Sequence, residues 1–161
     1  MPDDYLDALD SEERASSWVG TLMWPPPRVS VILGREHGRS VGFAAAGPCR
    51  TDDDLGELYA INTRPDTWRS GVGTALLDAA TSHLRDARFD EAILWVLPGN
   101  TRARHFYEAL GWHADGAQRD EEVHGIVVPE LRYRMRLSPG GTAGTTKRPS
   151  ASPETQHNRG R

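Results

Sequence analysis

The sequence predicts an α/β (α+β) domain in which helices pack on a mixed β-sheet. Segments with the two-residue period of strands alternate with segments of helical period, in the order helix, three strands, helix, strand, helix, two strands. The chain has 161 residues, 37% of them hydrophobic, so it is long enough to bury one core of ordinary size. A glycine-rich turn lies where the third strand gives way to the second helix.

The first half of the chain is predicted to hold one helix and three strands. Residues 10–13 (DSEE) resemble a capping box, and apolar residues then recur at helical spacing up to Leu22, before three consecutive prolines end the helix. Short apolar runs bounded by turn residues predict strands at residues 29–33, 40–46 and 57–63. The first two of these strands flank a glycine-containing turn, so we expect them to form a hairpin.

The second half is predicted to hold two helices and three strands. Helical periodicity runs from Gly71 to Ala87, and residues 92–97 (AILWVL) form an apolar run that is typical of a strand covered on both faces. Residues 101–110 predict a short helix, and residues 112–118 and 130–137 predict the last two strands. We expect residues 1–137 to form the domain and residues 138–161, which are poor in apolar side chains, to be a disordered tail.

Composition and charge exclude several classes of function. The net charge is −4 although the tail is basic, so the domain itself is acidic, which suits a cationic acceptor such as an amine and disfavours a nucleic-acid partner. The single cysteine, Cys49, excludes an internal disulfide. No signal peptide and no apolar run of about 20 residues is present, so we expect a cytoplasmic protein with no membrane partner. The six histidines show no metal-binding spacing, so we expect no metal.

The turn at residues 67–74 (TWRSGVGT) follows a predicted strand and opens a predicted helix. The unpaired N–H groups and the positive dipole end of a helix start, reached through glycines, form a site for phosphate. The spacing excludes a P-loop, because the one lysine of the chain is Lys147, and a dinucleotide-binding fingerprint, because Leu76 stands where the third glycine belongs. A plain tight turn remains the alternative for this stretch taken alone.

A second stretch, residues 94–112 (LWVLPGNTRARHFYEALGW), combines an apolar strand with the pattern Asn-x-x-Ala-x-x-Phe-Tyr-x-x-x-Gly-Trp. Together with the Gly-x-Gly turn upstream, it resembles motifs A and B of the GNAT acetyltransferases, and the resemblance extends from about Asp4 to Leu137. It implies the GNAT fold, a mixed and mostly antiparallel sheet whose two parallel central strands splay apart, flanked by helices. It also implies an N-acetyltransferase that moves the acetyl group of acetyl-CoA directly to a primary amine. A non-catalytic acyl-CoA-binding or regulatory domain on the same fold is the alternative.

The resemblance implies a cofactor site in the V between the splayed strands. Acetyl-CoA would lie along Ile61 and Thr63, and its pantetheine arm would contact Asn100, whose alternative role is to cap the following helix. Its pyrophosphate would be bound by the backbone amides of Arg69, Ser70, Gly71, Val72, Gly73 and Thr74. The chain departs from the family at Trp68, where the family has Gln or Arg, and at Arg69, where it has Gly. Because Trp68 carries no charge, we expect Arg69 to supply one.

The resemblance also implies two catalytic residues. Tyr107 matches the hydroxyl that protonates the departing CoA thiolate, and its alternative is to pack with Phe106 on an apolar stripe. Glu57 is the candidate for the base that deprotonates the amine, often through water, and its alternative is a solvated charge at the end of a strand. A main-chain N–H of the splayed strand would polarise the thioester carbonyl.

The sequence says less about the acceptor substrate and the oligomeric state than about the cofactor site. In the family the acceptor contacts the first helices and the loop between the last strands, here about residues 119–129. The family pattern begins with a strand and a helix that are missing before residues 5–10 of this sequence. We therefore expect that the natural chain starts upstream of Met1, or that a homodimer covers the bare edge of the sheet.

Overall fold

The computed structural model describes residues 26–123 and 125–137, and within them the chain forms six strands and two α-helices. The strands are β1 (Ser30–Glu36), β2 (Arg39–Pro48), β3 (Gly56–Thr63), β4 (Glu91–Val96), β5 (His113–Val123) and β6 (Ile126–Arg136). The helices are α1 (Val72–Asp86) and α2 (Thr101–Ala109), and a 3-10 turn at Pro65–Thr67 leads from β3 toward α1. The helix predicted before residue 26 and the tail predicted after residue 137 lie outside the described residues.

The strands form one sheet in the order β1-β2-β3-β4-β6-β5. All neighbouring pairs are antiparallel except β3 and β4, which run parallel at the centre. Parallel neighbours need a crossover connection, and α1 provides it. The predicted mixed, mostly antiparallel sheet with flanking helices is confirmed. β1 lies at one edge of the described sheet, and the expected homodimer at that edge stays a prediction.

One hydrophobic core joins both helices to the sheet. Burying a leucine side chain is worth about 1.5–3 kcal/mol, so the apolar stripe of α1 fixes that helix, and the glycine turn before it, against β2 and β3. The core residues come from alternate positions of the strands and from one side of each helix. They include Leu76, Leu77, Ala80 and Leu84 of α1, Ala44, Ala46, Leu58, Ala92, Leu94, Val96 and Tyr133 of the sheet, and Tyr107 of α2.

The last two strands are longer than the sequence predicts. β5 and β6 continue through the stretch expected to be an acidic connection, and they leave a tight turn at Gly125, whose φ is +77°. The added length continues the same ladder, in which Asp120, Glu121 and Glu122 lie opposite Pro129, Val128 and Val127. A cross-strand ion pair stands where the added length begins, with Arg119 2.7 Å from Glu130. The segment therefore forms a paired ribbon and not a loop.

Candidate active site

β3 and β4 separate soon after they begin, which opens a gap at the centre of the sheet. Their register pairs Gly56 with Ala92 and Glu57 with Ile93, and it extends no further. On its other edge β3 has an irregularity at Tyr59, where its register with β2 shifts by one residue. A bulge bends its strand and increases the local twist, so it directs the rest of β3 away from β4. The backbone edge of β3 that faces the gap is therefore not paired with β4 beyond Glu57.

The N-terminus of α1 stands at the open end of this gap. Gly71 is its N-cap residue, no side chain caps the helix, and its first turn holds no acidic residue. The first hydrogen bond into the helix runs from the Ala75 amide to the Gly71 carbonyl at 3.0 Å. The amides before Ala75 in the first turn therefore have no partner within the helix. These N–H groups and the helix dipole make an anion site of the kind that the turn predicts.

The glycines of the turn act in two different ways. Gly71 has a φ of +89°, and a Cβ placed on it would meet nothing within 4 Å, so its backbone conformation and not a lack of space requires glycine. Gly73 has its neighbours closer: a Cβ there would lie 3.5 Å from the Phe106 ring and 3.9 Å from the Thr63 methyl group. The first turn of α1 is thus packed between the end of β3 and α2.

Ser70 and Arg69, both predicted to hold the pyrophosphate, are distinguished by hydrogen bonding and by backbone conformation, respectively. The amide and the hydroxyl of Ser70 both donate to the Thr67 carbonyl, at 3.3 and 2.6 Å, so the Ser70 amide is already used within the turn. Arg69 has a φ of +63°, unusual for a residue with a side chain, and is exposed. The turn is therefore a specific, internally bonded structure, and the role of its amides in binding a cofactor stays a prediction.

Ile61 and Thr63 lie on β3 beyond the point at which its pairing with β4 ends. Both therefore flank the gap, as the sequence predicts for residues that contact a cofactor. The Thr63 carbonyl accepts a hydrogen bond from the Trp68 indole at 3.4 Å. The end of β3 and the glycine turn are thus joined directly at the mouth of the gap.

Asn100 is the N-cap residue of α2. Its side-chain Oδ1 accepts a hydrogen bond from the Ala103 amide at 3.1 Å. The capping role considered as the alternative is therefore confirmed. The cap uses the side-chain oxygen of Asn100 and leaves its side-chain nitrogen available. That nitrogen is the donor that a pantetheine carbonyl would need. The cofactor role of Asn100 stays a prediction.

Tyr107 sits in an aromatic cluster on the inner side of α2. Its ring centroid lies 5.4 Å from that of Phe106, 6.3 Å from that of Trp112 and 6.4 Å from that of Tyr133. The residue is 7% exposed, and burial raises the pKa of its hydroxyl to about 12. Its packing role is therefore confirmed. The hydroxyl is protonated at neutral pH, which is the state that a general acid requires, while the raised pKa makes it a weaker acid than an exposed tyrosine.

Glu57 is buried at the closed end of the gap, where β3 and β4 still pair. It is 2% exposed, so the alternative of a solvated charge at the strand end is wrong. One carboxylate oxygen accepts from the Arg50 guanidinium at 2.7 Å, and the other accepts from the Arg50 amide at 3.2 Å. The bond to Glu57 is the main cause of a raised Arg50 pKa. The role of Glu57 as a base stays a prediction, and the base would have to share its carboxylate with Arg50.

Comparison with known proteins decides the family. The model of the acetyltransferase (GNAT) family matches residues 2–112. The chain belongs to the GNAT family. It is 32% identical over 133 residues to a Bacillus subtilis protein named uncharacterized N-acetyltransferase YuaI, covering 81% of this chain and 73% of that protein.

Two further comparisons give the range of the similarity. The mycothiol acetyltransferase of Propionibacterium freudenreichii subsp. shermanii is 34% identical over 90 residues, which cover 55% of this chain but only 29% of that enzyme. Among solved structures, yncA of Salmonella typhimurium, determined with its cofactor acetyl-CoA, superimposes with a TM-score of 0.62 at 17% identity. The superposition covers 91% of this chain and 79% of yncA, and it establishes the shared fold.

Three contacts around the gap between β3 and β4 had no signal in the sequence. Arg50, the partner of Glu57, lies seven residues before it, in a loop without a recognisable motif. Arg102 of α2 stacks on Trp68, 34 positions earlier in the chain. Tyr133 of β6 donates to the Glu108 carboxylate at 2.6 Å and thereby ties α2 to the sheet. Each contact joins segments that only the tertiary fold brings together.

Two kinds of feature are absent from the described residues. In the described part of the GNAT domain, no group of three or more His, Cys, Asp or Glu side chains is placed to hold a metal ion. None of the helices within residues 26–123 and 125–137 is long and apolar enough to cross a bilayer.

Proposed function

We propose that the protein is an acetyl-CoA-dependent N-acetyltransferase that transfers the acetyl group directly to a primary amine. The observation that carries the proposal is the uncapped N-terminus of α1 at the open end of the β3–β4 gap. A cofactor with a pyrophosphate and a long polar arm needs both an anion site and an unpaired strand edge, and these two features adjoin here. The GNAT membership and the relatives named N-acetyltransferases support the same activity.

The cofactor would be held mainly by backbone. The amides of the turn from Arg69 to Thr74, apart from that of Ser70, would bind the pyrophosphate. The free edge of β3 at Ile61 and Thr63 would pair with the amides of the pantetheine arm, and the Asn100 side-chain nitrogen would donate to it from the opposite side. Main-chain contacts of this kind tolerate the departures at Trp68 and Arg69 from the usual family residues.

The transfer requires two proton movements. The amine nitrogen attacks the thioester carbonyl carbon, a C–N bond forms, and the C–S bond breaks. The Tyr107 hydroxyl would donate its proton to the departing sulfur, for which its protonated state at neutral pH is suited. Glu57 would accept the proton of the attacking amine through water, while the hydrogen bonds from Arg50 hold its carboxylate in place.

The acceptor is proposed as a class, a primary amine. The names of the relatives support an amine, and the acidic end of the β5–β6 ribbon at Asp120, Glu121 and Glu122 suits a cationic one. The mycothiol acetyltransferases match over less than a third of their length in the example above, so their acceptor is not transferred to this chain.

Thiol release from acetyl-CoA with a panel of primary amines tests the proposal. We expect amine-dependent release of one thiol per acetylated amine, confirmed by mass spectrometry of the product. Thermal unfolding with and without acetyl-CoA is measured in parallel, because a ligand at 100 times its Kd stabilises the native state by about 2.7 kcal/mol. Stabilisation without thiol release for any amine would favour the acyl-CoA-binding alternative. No stabilisation of the folded protein would refute both.

A further inference from the structure

Arg102 and Trp68 form a stacked pair at the open end of the gap. The guanidinium carbon of Arg102 lies 3.3 Å from the centroid of the Trp68 ring, within the range of a cation–π contact. Trp68 is 47% exposed, and its indole N–H points to the Thr63 carbonyl at 3.4 Å. The pair therefore links the first turn of α2 to the end of β3, across the mouth of the gap.

The position of Arg102 relative to the anion site follows from the packing of α2. Phe106 lies four residues after Arg102, so both side chains project from the same side of the helix. Phe106 packs 3.5 Å from the Cβ position of Gly73, in the first turn of α1. Arg102 thus lies on the side of α2 that faces the first turn of α1, where the amides have no helical partner. It is one helical turn before Phe106, which makes the direct contact with that turn.

No carboxylate of the described residues neutralises the charge of Arg102. The side chains of Arg50, Arg64, Arg119, Arg132, Arg134 and Arg136 each form an ion pair with a carboxylate. Over residues 26–123 and 125–137, Arg102 is in no such pair, and its guanidinium stacks on Trp68 instead. A guanidinium that stacks by its face keeps its N–H groups at the edge, in the fork geometry that matches a phosphate.

We propose that Arg102, held in place by Trp68, is a phosphate-binding residue for the CoA moiety. The inference rests on the proposed function and deepens it. It assigns the missing charge of the turn to a residue on another helix, where the sequence alone pointed to Arg69. Trp68, which replaces a polar or charged residue of the family, is then a positioning residue that fixes the rotamer of Arg102.

Binding of three ligands to the full chain by isothermal titration calorimetry tests the assignment: CoA, 3′-dephospho-CoA and pantetheine. Arg102→Ala is expected to weaken CoA binding by about 10- to 100-fold, as for a lost hydrogen bond to a charged group. An equal loss for CoA and 3′-dephospho-CoA assigns Arg102 to the pyrophosphate, and a loss for CoA alone assigns it to the 3′-phosphate. An equal loss for pantetheine, which has no phosphate, would overturn the proposal.

The positioning role of Trp68 is tested by a double-mutant cycle. Trp68→Ala should weaken CoA binding by about 2- to 5-fold, the value of an exposed cation–π contact. The same change should have no effect on top of Arg102→Ala. Additive losses would show that Trp68 does not act through Arg102. Arg136→Ala, at an exposed arginine of β6, is the matched control and should bind like the wild type.

Failure of the inference and failure of the proposed function give different results. Wild-type protein that does not bind CoA contradicts the proposed function itself. Wild-type protein that binds CoA, together with an Arg102→Ala variant of equal affinity, refutes the inference and leaves the proposed function intact. Arg102 is exposed, so the variant should fold, and circular dichroism checks that it does.

Discussion

Gly71 is the position at which the backbone of the phosphate-binding turn can be tested without disturbing the core. Its φ of +89° is left-handed, and a Cβ placed there meets no atom within 4 Å. A substitution is therefore penalised through the backbone and not through a clash. A residue with a Cβ pays about 1–2 kcal/mol for this conformation, so we expect Gly71→Ala to lower the free energy of unfolding by that amount.

Thermal unfolding without ligand measures this cost. In a domain of this size, a loss of 1 kcal/mol lowers Tm by roughly 4 °C, so Gly71→Ala should lower Tm by roughly 4–8 °C. Gly99→Ala is the matched control: its Cβ also meets no atom within 4 Å, but its φ lies outside the left-handed range. The Tm of Gly99→Ala should stay close to that of the wild type. Equal Tm values for the two variants would refute the argument from the backbone.

Comparing Gly71→Glu with Gly71→Ala distinguishes the backbone strain of a side chain at residue 71 from the effect of a negative charge there. The new carboxylate stands at the N-terminus of α1, where a negative charge stabilises the helix by about 0.3–1 kcal/mol. Without ligand, the Tm of this variant should therefore equal or exceed that of Gly71→Ala. With acetyl-CoA, Gly71→Ala should still be stabilised and Gly71→Glu should not, because its side chain competes with the phosphates. A full ligand-induced shift in Gly71→Glu would place the phosphate site elsewhere.

Three further predictions concern side chains around the gap. Tyr107→Phe should lower kcat by about 10²–10⁴-fold and leave acetyl-CoA affinity unchanged; an unchanged kcat would leave Tyr107 with its packing role alone. The pKa of Tyr107 is about 12 in the folded protein, against an ordinary 10.0 in the unfolded chain, so the unfolded chain loses this proton first as the pH rises. The free energy of unfolding should therefore fall between about pH 10 and pH 12. Urea titrations at these pH values should show a smaller fall for Tyr107→Phe. Arg50→Met should lower the free energy of unfolding by about 1–3 kcal/mol, because the buried Glu57 carboxylate loses its guanidinium partner and keeps only the hydrogen bond from the backbone amide of residue 50. Adding Glu57→Gln should recover part of the loss, and an Arg50→Met protein as stable as the wild type would contradict this account.

The elements of the fold could be read from periodicity because most of them bury one side. α1 shows its buried stripe directly, and β4 shows an apolar run because Ile93 and Leu94 are 1% and 2% exposed on opposite faces. Periodicity did not predict the full length of β5 and β6. There the strands are stabilised by pairs such as Arg119 with Glu130, and a charged run gives no hydrophobic signal from which a strand could be inferred.

In the candidate site too, some features are set by the local sequence and others only by the tertiary fold. The conformation of Gly71 and the cap at Asn100 are local properties, so the sequence pattern pointed to them correctly. The burial of Glu57 depends on β4 and Arg50, and the cation beside Trp68 comes from α2. Neither could follow from sequence neighbours, so the sequence left the burial of Glu57 open and pointed only to Arg69 as a source of charge, which stays a prediction.

The two ends of the gap are held by contacts that differ in strength, and the difference has a physical consequence. At the closed end, the Glu57 carboxylate is 2% exposed and accepts two hydrogen bonds from Arg50, whose side chain is 58% exposed, so charge-assisted bonds fix the carboxylate. At the open end, the stack of Arg102 on Trp68 is half exposed and is worth only about 0.5–1 kcal/mol. A phosphate that enters at the open end would bind the N–H edge of Arg102 while its face stays on Trp68, whereas the closed end keeps its geometry around the reacting groups. We therefore expect substitutions of Glu57 to act mainly on kcat and substitutions of Arg102 to act mainly on the KM for acetyl-CoA, and the reverse pattern would show that the acetyl group does not lie at the closed end.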